Sequence, residues 1–177
     1  VKDYALENNL TLLQPTNLKD ESFLAELKRL NANLQVVVAF RMLPEVIWKM
    51  PKLGTFNLHA SLLPNYRGAA PINWAIINGE LKTGVTTFYI DEKIDTGAMI
   101  LSKEIEITQN ENAGELHDRL MNLGSKAVVK TLNLIENGKA STTIQKDNPE
   151  IKTAYKLNKE NCKIDWNKSG KEIHNLI

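Results

Sequence analysis

The chain has 177 residues, 42% of them hydrophobic, a formal net charge of +1 and one cysteine, Cys162. This length suits one ordinary domain with a real core and a short appendage. The balanced charge neither requires nor excludes nucleic acid, although strong sequence-independent binding calls for a more basic chain. A lone cysteine excludes an internal disulfide and fits a reducing cytoplasm, and no apolar run approaches the roughly 20 residues of a bilayer span.

Residues 1–10 read as the back half of a helix with Val1, Ala5 and Leu6 apolar, so the chain is expected to begin inside an element. Residues 11–14, ahead of Pro15, read as a short strand. Asp20 is placed to cap a helix to about Leu30, since Phe23, Leu24, Leu27 and Leu30 recur at helical spacing. Gln35-Val36-Val37-Val38-Ala39-Phe40 reads as a central strand buried on both faces. A short helix follows from near Pro44, and Pro51 and Gly54 lead into a strand around Asn57. Pro71 to Gly79 has proline in the first turn and glycine after the last, the pattern of a helix. Residues 84–90 and 99–105 read as strands, and Asn112-Ala113-Gly114-Glu115 resembles a capping box opening a long amphipathic helix toward Gly138. Strands alternating with helices indicate an α/β sheet with flanking helices. From about Lys139 the chain turns polar and lysine-rich, with Tyr155, Cys162, Ile164 and Trp166 as isolated anchors, so residues 1–138 read as the domain and 139–177 as a packing arm or linker.

Side chains alternate along a strand, so Asn57 and His59 share one face while Phe56 and Leu58 take the other. Ligands of open α/β sheets bind beyond the carboxyl ends of strands, where these two residues lie. Asp95, between two predicted strands, can reach the same crevice. An amide, an imidazole and a carboxylate together suit acyl transfer to an amine: the amide donates to a developing oxyanion, and the carboxylate orients an imidazole that moves or stabilises protons. Plainer roles stand beside these, because strand histidines are commonly structural and Asp95 before Thr96-Gly97 can serve as a turn residue. His117, His174 and Cys162 lie apart from His59, so no metal site is expected, and Arg67-Gly68-Ala69-Ala70-Pro71 lacks the lysine and spacing of a phosphate loop.

Asn57-Leu58-His59-Ala60-Ser61-Leu62-Leu63-Pro64, then Tyr66-Arg67-Gly68-Ala69-Ala70-Pro71-Ile72-Asn73-Trp74, then residues 91–97, resemble the folate-dependent formyltransferase family. Val36-Val37-Val38-Ala39-Phe40, Leu43-Pro44, Gly84-Val85-Thr86, Tyr155-Lys156-Leu157 and Lys163-Ile164-Asp165-Trp166 extend the likeness over nearly the whole chain. The resemblance implies a Rossmann-like, mostly parallel sheet. It also implies formyl transfer from 10-formyltetrahydrofolate, a co-substrate, with no metal. Gly68-Ala69-Ala70-Pro71 and the tail through Trp166 resemble the branch whose acceptor is the methionine amine on initiator tRNA, acting in the cytoplasm as a monomer, with no membrane partner.

By the same resemblance Asn57, His59 and Asp95 form the catalytic set. Asn57 and protonated His59 would stabilise the tetrahedral oxyanion, and Asp95 would hold His59 charged and oriented, within about 3 Å. Ser61, Leu62, Leu63 and Pro64 would line the folate, with Arg41, Met42, Leu43, Ile90, Asp91 and Ile94 at the pterin pocket. A sharp turn at Leu63-Pro64 suits a cis bond. Arg41 and Met42 are more similar to the purine-pathway branch. The family's opening strands would precede Val1 and its RNA-binding barrel would follow Ile177. The rivals are other folate-dependent formyltransferases, formyltetrahydrofolate hydrolase, or a catalytically silent fragment.

Overall fold

The computed structural model describes residues 1–39, 42–146 and 148–177; Arg41, expected at the pterin pocket, and Phe40, expected in a strand, lie outside them. In chain order the elements are α1 (Lys2–Glu7), α2 (Glu21–Arg29), β1 (Gln35–Val38), α3 (Glu45–Trp48), β2 (Thr55–His59), β3 (Arg67–Gly68), α4 (Pro71–Ile77), β4 (Lys82–Tyr89), β5 (Met99–Glu106), α5 (Ala113–Glu136), β6 (Thr153–Ala154) and α6 (Gly170–Leu176). The main sheet is ordered β1-β2-β4-β5, and β3 pairs separately with β6. This is the α/β class read from the alternation. Strands β1 and β2 run parallel through the α3 crossover, the Rossmann-like part, and β4 and β5 continue the sheet antiparallel.

Local chemistry explains the helix ends. Asp20 accepts the Phe23 amide at 2.9 Å at the start of α2. Asn112 and Glu115 form a reciprocal capping box at α5, and Ser169 and Glu172 do the same at α6. One local expectation changes. Residues 11–14 form no strand, since an apolar pair such as Leu12-Leu13 becomes a strand only where a partner supplies the ladder. The expected strand at Val36-Val37-Val38 forms as β1, paired along one side with β2.

The core forms where α5 lies on the sheet. Leu116, Leu120 and Ala127 of the helix pack on Val85 of β4, with Leu58, Ala60, Ile72, Ile76 and Leu101 around them. Thr87 and Thr131 bridge strand to helix through their hydroxyls at 2.8 Å. Leu58 is thus committed to the α5 face, and alternation turns Asn57 and His59 to the other face. Among the described residues no helix is long and apolar enough to cross a membrane.

Just before α5 the buried Glu111 carboxylate accepts from the Thr108 amide and from Arg119 Nη1, at 2.8 and 2.7 Å to its nearest oxygens. Burial pushes this carboxyl up, but the bonds from Arg119 and Thr108 outweigh it and hold the group below the ordinary glutamate value. Such a group stabilises the fold above its unfolded pKa of about 4.3, and the contribution is lost as pH falls through the lower folded value. The melting temperature of the protein therefore falls more steeply than that of Glu111→Gln below about pH 5. Melts of both proteins across that range check this, and parallel curves refute it.

Candidate active site

The carboxyl end of β2 brings three expected residues together. His59 is 6% exposed, and its Nε2–H donates to the Tyr66 carbonyl oxygen at 2.8 Å. A carbonyl only accepts, so Nε2 carries a proton and Nδ1 is the ring nitrogen that can change state. Nδ1 faces Asp95, whose Oδ2 lies 3.8 Å away. That separation is an ion-pair distance and exceeds the hydrogen bond of about 3 Å expected from the sequence. The same Asp95 Oδ2 accepts the Gly68 amide at 2.9 Å. The His59 ring also meets Phe88 edge-on, with centroids 6.4 Å apart.

Asn57 lies on the same strand face, beside Phe88 in the β2–β4 register. Its Oδ1 is buried and, among the described residues, has no hydrogen-bond partner. A buried orphan acceptor costs about 1–3 kcal/mol, so a group that persists in this state is a candidate for contact with a ligand.

The loop after β2 is pinned from below. Thr86, fully buried and opposite His59, donates to the Ser61 carbonyl at 2.8 Å and accepts the Leu63 amide at 3.2 Å. The Ser61 hydroxyl donates to the Asn65 carbonyl at 2.7 Å, which leaves the side chain engaged inside the turn. The Leu63-Pro64 bond is cis. Leu63 is buried, and Leu62 and Pro64 are half-buried beside it. Of the residues expected at the pterin pocket, Leu43 and Ile90 are half-buried, and the Ile90 amide donates to the Thr55 carbonyl at 2.9 Å. Met42 and Ile94 are 69% and 60% exposed. The Asp91 carboxylate is occupied in its own loop, accepting the Lys93 amide and the Thr96 hydroxyl.

Residues with no assigned role in the sequence reading hold the site in shape. Tyr66 adopts a left-handed backbone, φ +62°, which presents its carbonyl to His59. Its amide donates to the Lys152 carbonyl, and its hydroxyl donates to Glu80, which pairs with Lys152. Burial and the Glu80 bond push the Tyr66 phenol well above its ordinary range. Gly68, at φ +121°, sits so close to β6 that a Cβ would lie 2.4 Å from the Ala154 carbonyl oxygen. At Gly97 a Cβ would lie 1.6 Å from the Tyr89 carbonyl oxygen, so only glycine lets the Asp95 loop close onto β4. Gln145, from the segment read as an arm, reaches the same loop. A trace of it existed in the β-like run Thr142-Thr143-Ile144-Gln145, where Thr143 bridges to Met99.

Residues 1–132 match the formyl transferase family. Over all 177 residues the chain is 81% identical to methionyl-tRNA formyltransferase of Flavobacterium johnsoniae, and it is 52% identical over 178 residues to the same-named protein of Clostridioides difficile. It spans 56% and 57% of their lengths, just over half. Among solved structures, the sugar 3N-formyl transferase WlaRD, in the presence of dTDP and 5-N-formyl-THF, matches all of the chain and 61% of its own, with TM-score 0.77 and 25% identity. An N-formyltransferase from Helicobacter canadensis, in complex with folinic acid and dTDP-3-aminofucose, matches 99% of the chain and 61% of its own, with TM-score 0.77 and 27% identity. A sheet that presents Asn57, His59 and Asp95 at one strand end, and a match over residues 1–132, lead to one conclusion: the chain belongs to the formyl transferase family.

Proposed function

We propose that the protein transfers a formyl group from 10-formyltetrahydrofolate to the amino group of methionine on initiator tRNA, in the cytoplasm at translation initiation. The observation that carries this reading is the convergence of Asn57, His59 and Asp95, with Asn57 Oδ1 buried and unpartnered, in a chain 81% identical to a methionyl-tRNA formyltransferase. Folate-derived ligands in two similar solved structures support the donor.

The residues fit the chemistry. A neutral amine attacks the formyl carbon, its C–N bond forms, and the carbonyl oxygen becomes an oxyanion. The Asn57 carboxamide has an N–H to offer that oxyanion and an oxygen to accept from the attacking amine. Collapse breaks the bond to N10, and the proton lost by the amine ends on N10. His59 Nδ1 is the ring atom able to take and return that proton, because Nε2 is held by the Tyr66 carbonyl. The Asp95 carboxylate faces the charge that develops on the ring. Ser61, Leu62, Leu63 and Pro64, with Met42, Leu43, Ile90, Asp91 and Ile94, are proposed to receive the folate.

The test supplies 10-formyltetrahydrofolate with methionyl initiator tRNA, with a dTDP-amino sugar, or alone, using the Flavobacterium johnsoniae relative as the positive control. Formylmethionyl-tRNA is the expected product. Formylation of the sugar amine alone, or release of formate alone, overturns the reading in favour of the corresponding rival.

A further inference from the structure

Gln145 is 8% exposed, and its carboxamide uses its full hydrogen-bonding capacity. Nε2 donates to the carbonyls of Asp95 at 2.9 Å and Gly97 at 2.8 Å. Oε1 accepts from Arg67 Nε at 3.0 Å and from Nη2 at 2.8 Å. Two donors on one end and an acceptor on the other assign the amide orientation, since the reverse would set oxygen against two carbonyls. Glutamate lacks the donors, and asparagine is one methylene short.

The partners of this side chain matter. Asp95 lies at φ +56°, a left-handed backbone that needs external support in a residue other than glycine. Its carbonyl and that of Gly97 bracket the bend, and one NH2 group holds both. Arg67 precedes Gly68, the residue whose amide binds the Asp95 carboxylate. One carboxamide therefore ties down both parties of the Gly68–Asp95 contact, which in turn places Oδ2 against His59 Nδ1.

We propose that Gln145 is a positioning residue for the reaction: by clasping the Asp95 loop to Arg67 it sets the separation between the Asp95 carboxylate and the His59 ring. This rests on the formyl-transfer reading above. The effect passes through Asp95, and Gln145 itself touches neither substrate.

The test measures kcat and KM for Gln145→Met and Gln145→Glu, alone and in an Asp95→Ala background, at a temperature where each variant is folded. Hydrogen exchange of the Gly68 amide is followed by NMR without substrate. Gln145→Met lowers kcat about 10- to 100-fold, the scale of a misplacement near 1 Å, and leaves both KM values within about twofold. In the Asp95→Ala background the same substitution changes kcat less than about twofold, because a residue acting through Asp95 has nothing left to position. Gln145→Glu keeps an acceptor for Arg67 and loses the donors to the carbonyls, so it behaves as Gln145→Met does and serves if that variant fails to fold. The Gly68 amide exchanges at least about tenfold faster in either variant. An equal loss of kcat in both backgrounds, the mark of general destabilisation, overturns the proposal. Unchanged Gly68 exchange overturns it whether or not the protein transfers formyl groups, whereas a wild-type protein inactive on every acceptor, with Gly68 exchange responding to Gln145→Met, sinks the functional reading and leaves the clasp intact.

Discussion

Replacing His59 with alanine lowers kcat for formyl transfer by about 10²- to 10⁴-fold, the usual contribution of a positioned acid or base. The Nε2–H of this ring is consumed by the Tyr66 carbonyl, so its one adjustable site is Nδ1, directed at Asp95. Alanine also removes a donor from a buried carbonyl, at a cost of about 1–3 kcal/mol in stability, and a weakened fold could mimic a catalytic loss. His59→Gln separates the two effects. A glutamine amide can donate to the Tyr66 carbonyl, yet it neither takes nor returns a proton near neutral pH. The expected result is a melting temperature closer to the wild type than that of His59→Ala, with kcat as low as in the alanine variant. Activity of His59→Gln within about fivefold of wild type would remove proton movement at this residue from the mechanism.

Much of the architecture was legible because its causes are local. Asp20 and the Asn112–Glu115 box mark helix starts through bonds spanning three residues, and Pro71 with Gly79 brackets α4 by backbone preference alone. The pairing of Asn57 with His59 on one face needed only the period of two along β2. What remained hidden depends on distant partners. The Asp95 carboxylate that lies 3.8 Å from His59 also accepts the Gly68 amide, 27 residues away, a contact that no local pattern announces.

Gln145 shows the same limit more sharply. It is 50 residues from Asp95 and 78 from Arg67, in a polar stretch whose lysines signal a solvated arm. Its burial arises from the Thr143–Met99 bridge, which lays residues 143–145 along the end of β5. Tyr66 likewise passes for ordinary turn chemistry until Lys152 and Glu80 arrive from elsewhere in the chain to hold it.

Asn57 offers a second large effect, in which activity and stability move in opposite directions. Its Oδ1 is buried and unpartnered among the described residues, a state that burdens the fold by about 1–3 kcal/mol. Leucine keeps the branched heavy-atom skeleton of asparagine, with bulkier methyl groups, and carries no polar atom to desolvate. The neighbouring Phe88 ring gives an apolar side chain on this face a surface to meet. Asn57→Leu therefore raises stability by about 1 kcal/mol, seen as a higher denaturation midpoint with unchanged m-value. The same substitution removes the donor proposed for the oxyanion, and loss of one such donor costs about 10²- to 10³-fold in kcat. A structural asparagine would respond the other way, since replacing a satisfied buried amide destabilises the protein and leaves chemistry largely intact. A stabilised and inactive Asn57→Leu supports the assignment, whereas a destabilised variant with kcat within about threefold of wild type rules Asn57 out as the oxyanion donor. The opposition has a physical basis: a side chain kept unsatisfied by its own fold holds its hydrogen-bonding capacity in reserve for a ligand, and filling the position with carbon trades that capacity for packing.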